Sequence, residues 1–313
     1  MLKARLLGER FVAVCCAAGK GEANTEPRDV LSRPSRPPDL VIRYGQDPDH
    51  VADLRLPPRP GNGLQPTSRP APLVIFLHGG FWRAAYDRSH TGPLAETLAA
   101  AGYAVATPEF RRTGQPGGGW PGTFDDVAAA VDALPGLVSE AVGDLVDPGC
   151  VLLAGHSAGG HLALWAASRH RLPPGTPWSL PQLPAIKGVV ALAAVSDLSS
   201  GHGLGLGHGA VADLLGGGPG TYGGRYAAAD PIGLLPAGIP VRLVHGRDDD
   251  IVPCNMSLDY AARAQAAGDD AVCTPLPRTG HFEVIDPLSA AWPHVAAAFR
   301  ALCPPPAPAP ARP

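Results

Sequence analysis

The sequence predicts an α/β protein whose central sheet, of about eight mostly parallel strands, is covered by helices on both faces. Three observations carry this. Strand-like and helix-like segments alternate along the chain. Several strands are short, unbroken apolar runs, as expected where both sheet faces are buried. Breakers punctuate the segments, as at Gly102 and Pro108.

Taken in order, Leu40–Arg43 and Val51–Leu56 read as a first antiparallel pair, followed by a proline-rich connection over Pro57–Pro72. Leu73–Leu77 (LVIFL) is the first buried strand. Pro93–Ala101 is a helix stopped by Gly102, and Tyr103–Thr107 is the next strand. Phe124–Leu134 has helical aliphatic spacing, with Thr123 placed to cap it. Val151–Ala154 is a strand, Ala158–His170 a helix and Val189–Val195 a strand. Val241–His245, Met256–Ala267 and Ala271–Leu276 read as strand, helix and strand, and Pro287–Leu302 closes as a helix. Between them, Gly201–Gly224 holds eleven glycines and reads as a long flexible flap beside a pocket. It lacks the GxGxxG spacing of a nucleotide loop. The resulting domain plan is a flexible N-terminal extension (1–38), a catalytic domain (39–303) and a Pro-rich disordered tail (304–313).

Composition narrows the function. With 25 Lys+Arg against 28 Asp+Glu the net charge is −3, which argues against a nucleic-acid partner. No apolar run is long enough to span a membrane. The six cysteines form no CxxC pair and read as reduced thiols, neither a disulfide framework nor a zinc site. The first 21 residues hold a short apolar stretch, Phe11–Ala18, interrupted upstream by Glu9 and Arg10. Secretion is the secondary reading of that pattern, and the cytoplasm is the expected location.

The chemistry-bearing signal is Gly155-His156-Ser157-Ala158-Gly159, a G-x-S-x-G between a strand and a helix. That context makes Ser157 a nucleophile lifted into a pocket on a tight turn. A serine hydroxyl needs an imidazole base, and the imidazole needs an acid to hold its tautomer. Downstream, VRLVHGRDDDIVP supplies Asp249, with Asp248 and Asp250 as neighbouring rivals and Asp197 as a weaker one. Gly280-His281-Phe282 then supplies His281, giving the order serine, acid, histidine. His156, His161 and His245 read as structural. An oxyanion hole needs backbone N–H donors. Ala158 is one, and the His78-Gly79-Gly80-Phe81-Trp82 loop supplies the other from Gly80, with Gly79 or Phe81 as alternatives.

HGGFW, GHSAGG, HGRDDDIVP and GHFEVIDP, in that order, resemble the α/β-hydrolase superfamily over about residues 73 to 290. HGGFW and GHFEVIDP are similar to the kynurenine formamidase (arylformamidase) and bacterial esterase branch. The resemblance implies a Ser157–Asp249–His281 triad, an oxyanion hole at Gly79, Gly80 and Ala158, and neither metal nor organic cofactor. It implies a serine hydrolase of small carboxylic esters. An arylformamidase cleaving N-formylkynurenine is the alternative, and HGRDDDIVP also resembles peptidases of the prolyl-oligopeptidase type. A non-catalytic binding module on the same fold is the competing class. Phe81 and Trp82, with Trp120 and Tyr222, build either an aromatic substrate pocket or loop packing. Arg111 and Arg112 either hold a substrate carboxylate or form salt bridges. The expected partner is a small-molecule ester or formamide, and homodimerisation is left open.

Overall fold

The eight strands of the sheet run in the order β1-β2-β4-β3-β5-β6-β7-β8. The computed structural model describes residues 28–58 and 69–306. Strands β1 (Leu40–Arg43) and β2 (Val51–Arg55) are antiparallel to each other, and β2 is antiparallel to β4 (Ala104–Pro108). The rest pair in parallel: β3 (Ala71–Leu77), β4, β5 (Val146–His156), β6 (Gly188–Leu192), β7 (Val241–Gly246) and β8 (Ala271–Leu276). The superfamily's α/β-hydrolase fold is therefore the architecture of this chain.

Strand alternation divides the core into two layers. Leu73, Ile75 and Leu77 point to one face, with Ala104, Val151, Leu153, Val189 and Leu243. That face is covered by α2 (Gly122–Val142), α3 (Ala158–Ala167) and α7 (Asn255–Ala266) through Val131, Leu162 and Tyr260. Val74 and Phe76 point the other way, to Leu98 of α1 (Gly92–Ala100) and Phe299 of α8 (Trp292–Leu302). Every residue of β3, β4 and β6 is buried, which explains why they are apolar apart from Thr107.

Four differences from the sequence reading have physical causes. The glycine-rich segment is not an open flap: it forms α4 (Leu198–Gly203), α5 (Leu206–Leu215) and α6 (Pro219–Ala229). The backbone turns left-handed at Gly207, His208 and Gly209, and the regular part of α5 beyond them holds no glycine and buries Ala210, Val211, Leu214 and Leu215 along one stripe. Helix α2 continues through Pro135 because Val127, Val131, Leu134 and Val138 form one buried face across it. Residues 28–38 belong to the folded body. Val30 is buried, and Arg33 forms a two-pronged ion pair with Asp286. Finally, Cys150 on β5 and Cys303 after α8 are joined by a disulfide, while Cys254 and Cys273 are free thiols. Motif spacing could not reveal a pair separated by 153 residues. Cys15, Cys16 and the rest of the possible leader lie outside the described residues, as does the tail beyond residue 306.

Candidate active site

The site lies where the C-terminal ends of β3, β5, β7 and β8 meet, the usual ligand edge of a parallel sheet. β5 ends at His156 and α3 begins at Ala158, so Ser157 alone makes the turn. Its backbone is held at φ 55°, ψ −118°, a conformation L-residues rarely adopt. Two glycines permit it. A Cβ at Gly155 would stand 2.2 Å from the Gly159 carbonyl oxygen, and one at Gly159 would stand 2.0 Å from that of Leu77. Ser157 N–H donates to Leu192 O at 2.8 Å, anchoring the turn to β6. The serine makes no side-chain capping bond to α3, so its hydroxyl is not committed to the helix.

The loop after β3 runs beside this turn. Gly79 packs so close that an added Cβ would lie 3.3 Å from that of Ser157. Gly80, Phe81 and Trp82 follow at φ 112°, 52° and 56°. Among the described residues, no acceptor takes the amides of Gly80, Phe81 or Ala158. Unbonded backbone N–H groups are the kind of donor an oxyanion hole uses. His78 fixes the loop from below: Nε2 meets Glu109 Oε1 at 2.8 Å and Nδ1 meets Gly79 O at 2.8 Å.

The acid and base come from the loops after β7 and β8. Asp249 Oδ2 accepts from His281 Nδ1 at 2.7 Å and from His245 Nε2 at 3.1 Å, while Oδ1 accepts the amides of Ile251 and Val252. Burial pushes this carboxyl up, but the two histidine hydrogen bonds and the charge of His281 outweigh it and hold it well below the usual range. The rival carboxylates are placed otherwise. Asp248 and Asp250 are exposed, and Asp197 caps α4 through Ser200 N. A concavity of about 470 Å³ beside His281 is lined by Arg28, Asp248, Asp250, Arg278 and Phe282.

The remaining motif histidines are structural. His156 donates through Nε2 to the His281 carbonyl at 2.9 Å, and burial, with the charge of His281, drives its pKa well down. His245 is wedged between Ser257 Oγ at 2.7 Å and Asp249. Burial lowers His161 to about 4, so it is neutral. It joins Trp82 to α6, a link no motif announces because its partners are 79 and 68 residues away.

Trp82 is 1% exposed and belongs to the core, so it does not line an open pocket. Phe81 is only partly buried, with its ring against Gly207. Trp120 packs edge-on against Trp178, and Tyr222 stacks under Arg225. Arg111 and Arg112 are engaged by Asp126 and Glu109, which is the salt-bridge reading of that pair.

The strand-to-helix turn at Ser157 and the Asp249–His281 pair lie at one end of a parallel sheet that has the α/β-hydrolase architecture. Residues 64–263 match the BD-FAE family model. The chain belongs to that family. It is similar to the probable carboxylic ester hydrolase LipM of Mycobacterium tuberculosis (strain ATCC 25618 / H37Rv), at 28% identity over 71% of this chain and 52% of that protein. It is also similar to kynurenine formamidase of Salmo salar, at 29% identity over 51% of this chain and 46% of that protein. The chain thus spans about half the length of these curated relatives. Among solved structures, the apo form of Thermogutta terrifontis esterase 2 superposes with a TM-score of 0.67, at 20% identity, over 88% of this chain and 98% of that one.

Proposed function

We propose that this protein is a serine hydrolase of small carboxylic esters. The observation carrying the reading is the buried Asp249–His281 hydrogen bond at 2.7 Å, on the sheet edge that also holds the strained Ser157 turn. Asp249 fixes His281 with Nδ1 protonated, which leaves Nε2 as the basic nitrogen. His281 takes the Ser157 proton as the hydroxyl attacks the ester carbonyl. The amides of Ala158 and Gly80 hold the developing oxyanion. His281 returns the proton to the departing alcohol, then draws one from water as it attacks the acyl-enzyme and passes it to Ser157 Oγ as the acid leaves.

A second reading, an arylformamidase, draws on the HGGFW loop and the kynurenine formamidase relative. Both substrates pass through the same acyl-enzyme steps. Purified protein is therefore assayed on p-nitrophenyl acetate and N-formylkynurenine, with Ser157→Ala as the blank. Turnover of the ester that vanishes in the blank supports the leading reading. A kcat/KM above about 10⁴ M⁻¹s⁻¹ on the formamide makes the protein an arylformamidase. Silence on both, with no covalent labelling of Ser157 by a fluorophosphonate, leaves a binding module. The labelling test has a precedent in the neighbour's fold: Thermogutta terrifontis esterase 2 has been solved phosphonylated by sarin.

A further inference from the structure

We infer that His161 is a positioning residue that holds the loop serving as oxyanion hole, by accepting a hydrogen bond from Trp82. The loop is strained at two adjacent positions. Phe81 and Trp82 are consecutive non-glycine residues at positive φ, and such backbone persists only where its surroundings over-determine it. The Trp82 side chain supplies that constraint. It is buried, and its indole Nε1–H donates to His161 Nδ1 at 3.2 Å with the rings edge-on. An indole can only donate, so His161 Nδ1 must be the unprotonated nitrogen. His161 Nε2 therefore carries the proton and donates to Ala229 O at 2.9 Å. One neutral imidazole on the helix after the nucleophile thus ties the loop after β3 to the end of α6. Phe124 packs edge-on to the same ring, and no charged side chain among the described residues bonds it.

The kinetic arm of the test rests on the ester-hydrolase reading; a second arm does not. Trp82→Phe and His161→Leu each remove one side of the bond, and His161→Asn keeps an acceptor near the Nδ1 position. Both deletions are expected to lower kcat on p-nitrophenyl acetate by at least about tenfold, with KM within about twofold, because the loop acts mainly on the transition state. The double variant should be no worse than the poorer single, and His161→Asn should recover most of kcat.

Hydrogen exchange reads the loop without substrate. The amides of Arg83, Ala84 and Thr113, bonded to Gly80 O, Thr113 O and Trp82 O, should exchange about tenfold faster in both deletions, with β5 unchanged. Unaltered exchange at those three amides overturns the inference, as do additive kinetic losses or losses confined to KM. If the wild type fails to turn over the ester, the functional reading falls and the exchange arm still decides this one. If His161→Leu does not fold, Trp82→Phe and His161→Asn carry the comparison.

Discussion

Ser157, Asp249 and Gly159 each make a prediction that belongs to a single side chain. Ser157→Ala should lower kcat by about four orders of magnitude or more while leaving the melting temperature nearly unchanged, since the hydroxyl makes no capping bond. Asp249→Asn should lose less than Ser157→Ala but far more than either Asp248→Asn or Asp250→Asn, whose side chains are exposed. The reverse ranking of kcat values would move the acid to a neighbour. Gly159→Ala should destabilise or prevent folding, because its methyl group would meet the Leu77 carbonyl at 2.0 Å. Asp249 also has a signature in acid. Its folded pKa is depressed, so the stability it contributes is present above the ordinary aspartate pKa, about 4, and is lost as pH falls below it. Urea midpoints between pH 3 and 5 should therefore drop less steeply in Asp249→Asn than in the wild type. The catalytic candidates were legible because their spacing and flanks are themselves chemical constraints: the elbow needs small residues on both sides, and the triad has a fixed chain order. His161 and Trp82 were not, since only the fold brings their donor and acceptor together.

At the scale of elements, strands were the easier part of the reading. β3 and β4 announce themselves because burial on both faces selects apolar residues, with Thr107 the one buried hydroxyl, bonded to Asp53 O. β5 proved longer than its apolar run, because its pairing with β3 continues across an irregularity at Pro72/Leu73 to Val146. The helices of the glycine-rich segment were hidden, because glycine opposes α4 and α6 locally and the glycines of α5 mark a left-handed break before a glycine-free buried stripe. Their junction is also where a carboxyl is under stress. Asp230 accepts the first amides of α4, Leu198 N at 2.9 Å and Ser199 N at 3.1 Å. Burial, aided by the charge of Asp197, still raises it to about 6. A raised folded pKa contributes stability below the unfolded value, about 4, and loses it as pH rises through about 6. Asp230→Asn should flatten the pH dependence of unfolding free energy between those limits by up to about 2–3 kcal/mol. An unchanged slope would show that Asp230 stays ionised in the folded protein.

For the whole molecule, the connections that matter join distant parts of the chain. Arg33 reaches Asp286, six residues before α8 begins at Trp292, and Arg28 lies over the Phe282 ring. Arg33→Ala should lower stability by about 1–3 kcal/mol, because it leaves the buried Asp286 carboxylate without its cation; equal denaturant midpoints would refute that. The disulfide acts over a still longer span. Cys303→Ala should lower unfolding free energy by about 2–4 kcal/mol, read from the denaturant midpoint under non-reducing conditions. Pairing of Cys150 with Cys303 also removes one ground for expecting the cytoplasm, since such bonds persist chiefly in oxidising compartments.

That same bond gives the molecule an unusual seam. The serine and its neighbouring amides all precede Gly238, and the acid and histidine all follow it. Gly238 is exposed, so a protease cut there would leave each fragment with half of the proposed machinery. Cys150 lies in the first fragment and Cys303 in the second, so the nicked pair would stay covalently joined. It would migrate as one band without reductant and as two with it, and adding reductant would turn a tethered assembly into two separable pieces, neither of which holds a complete site.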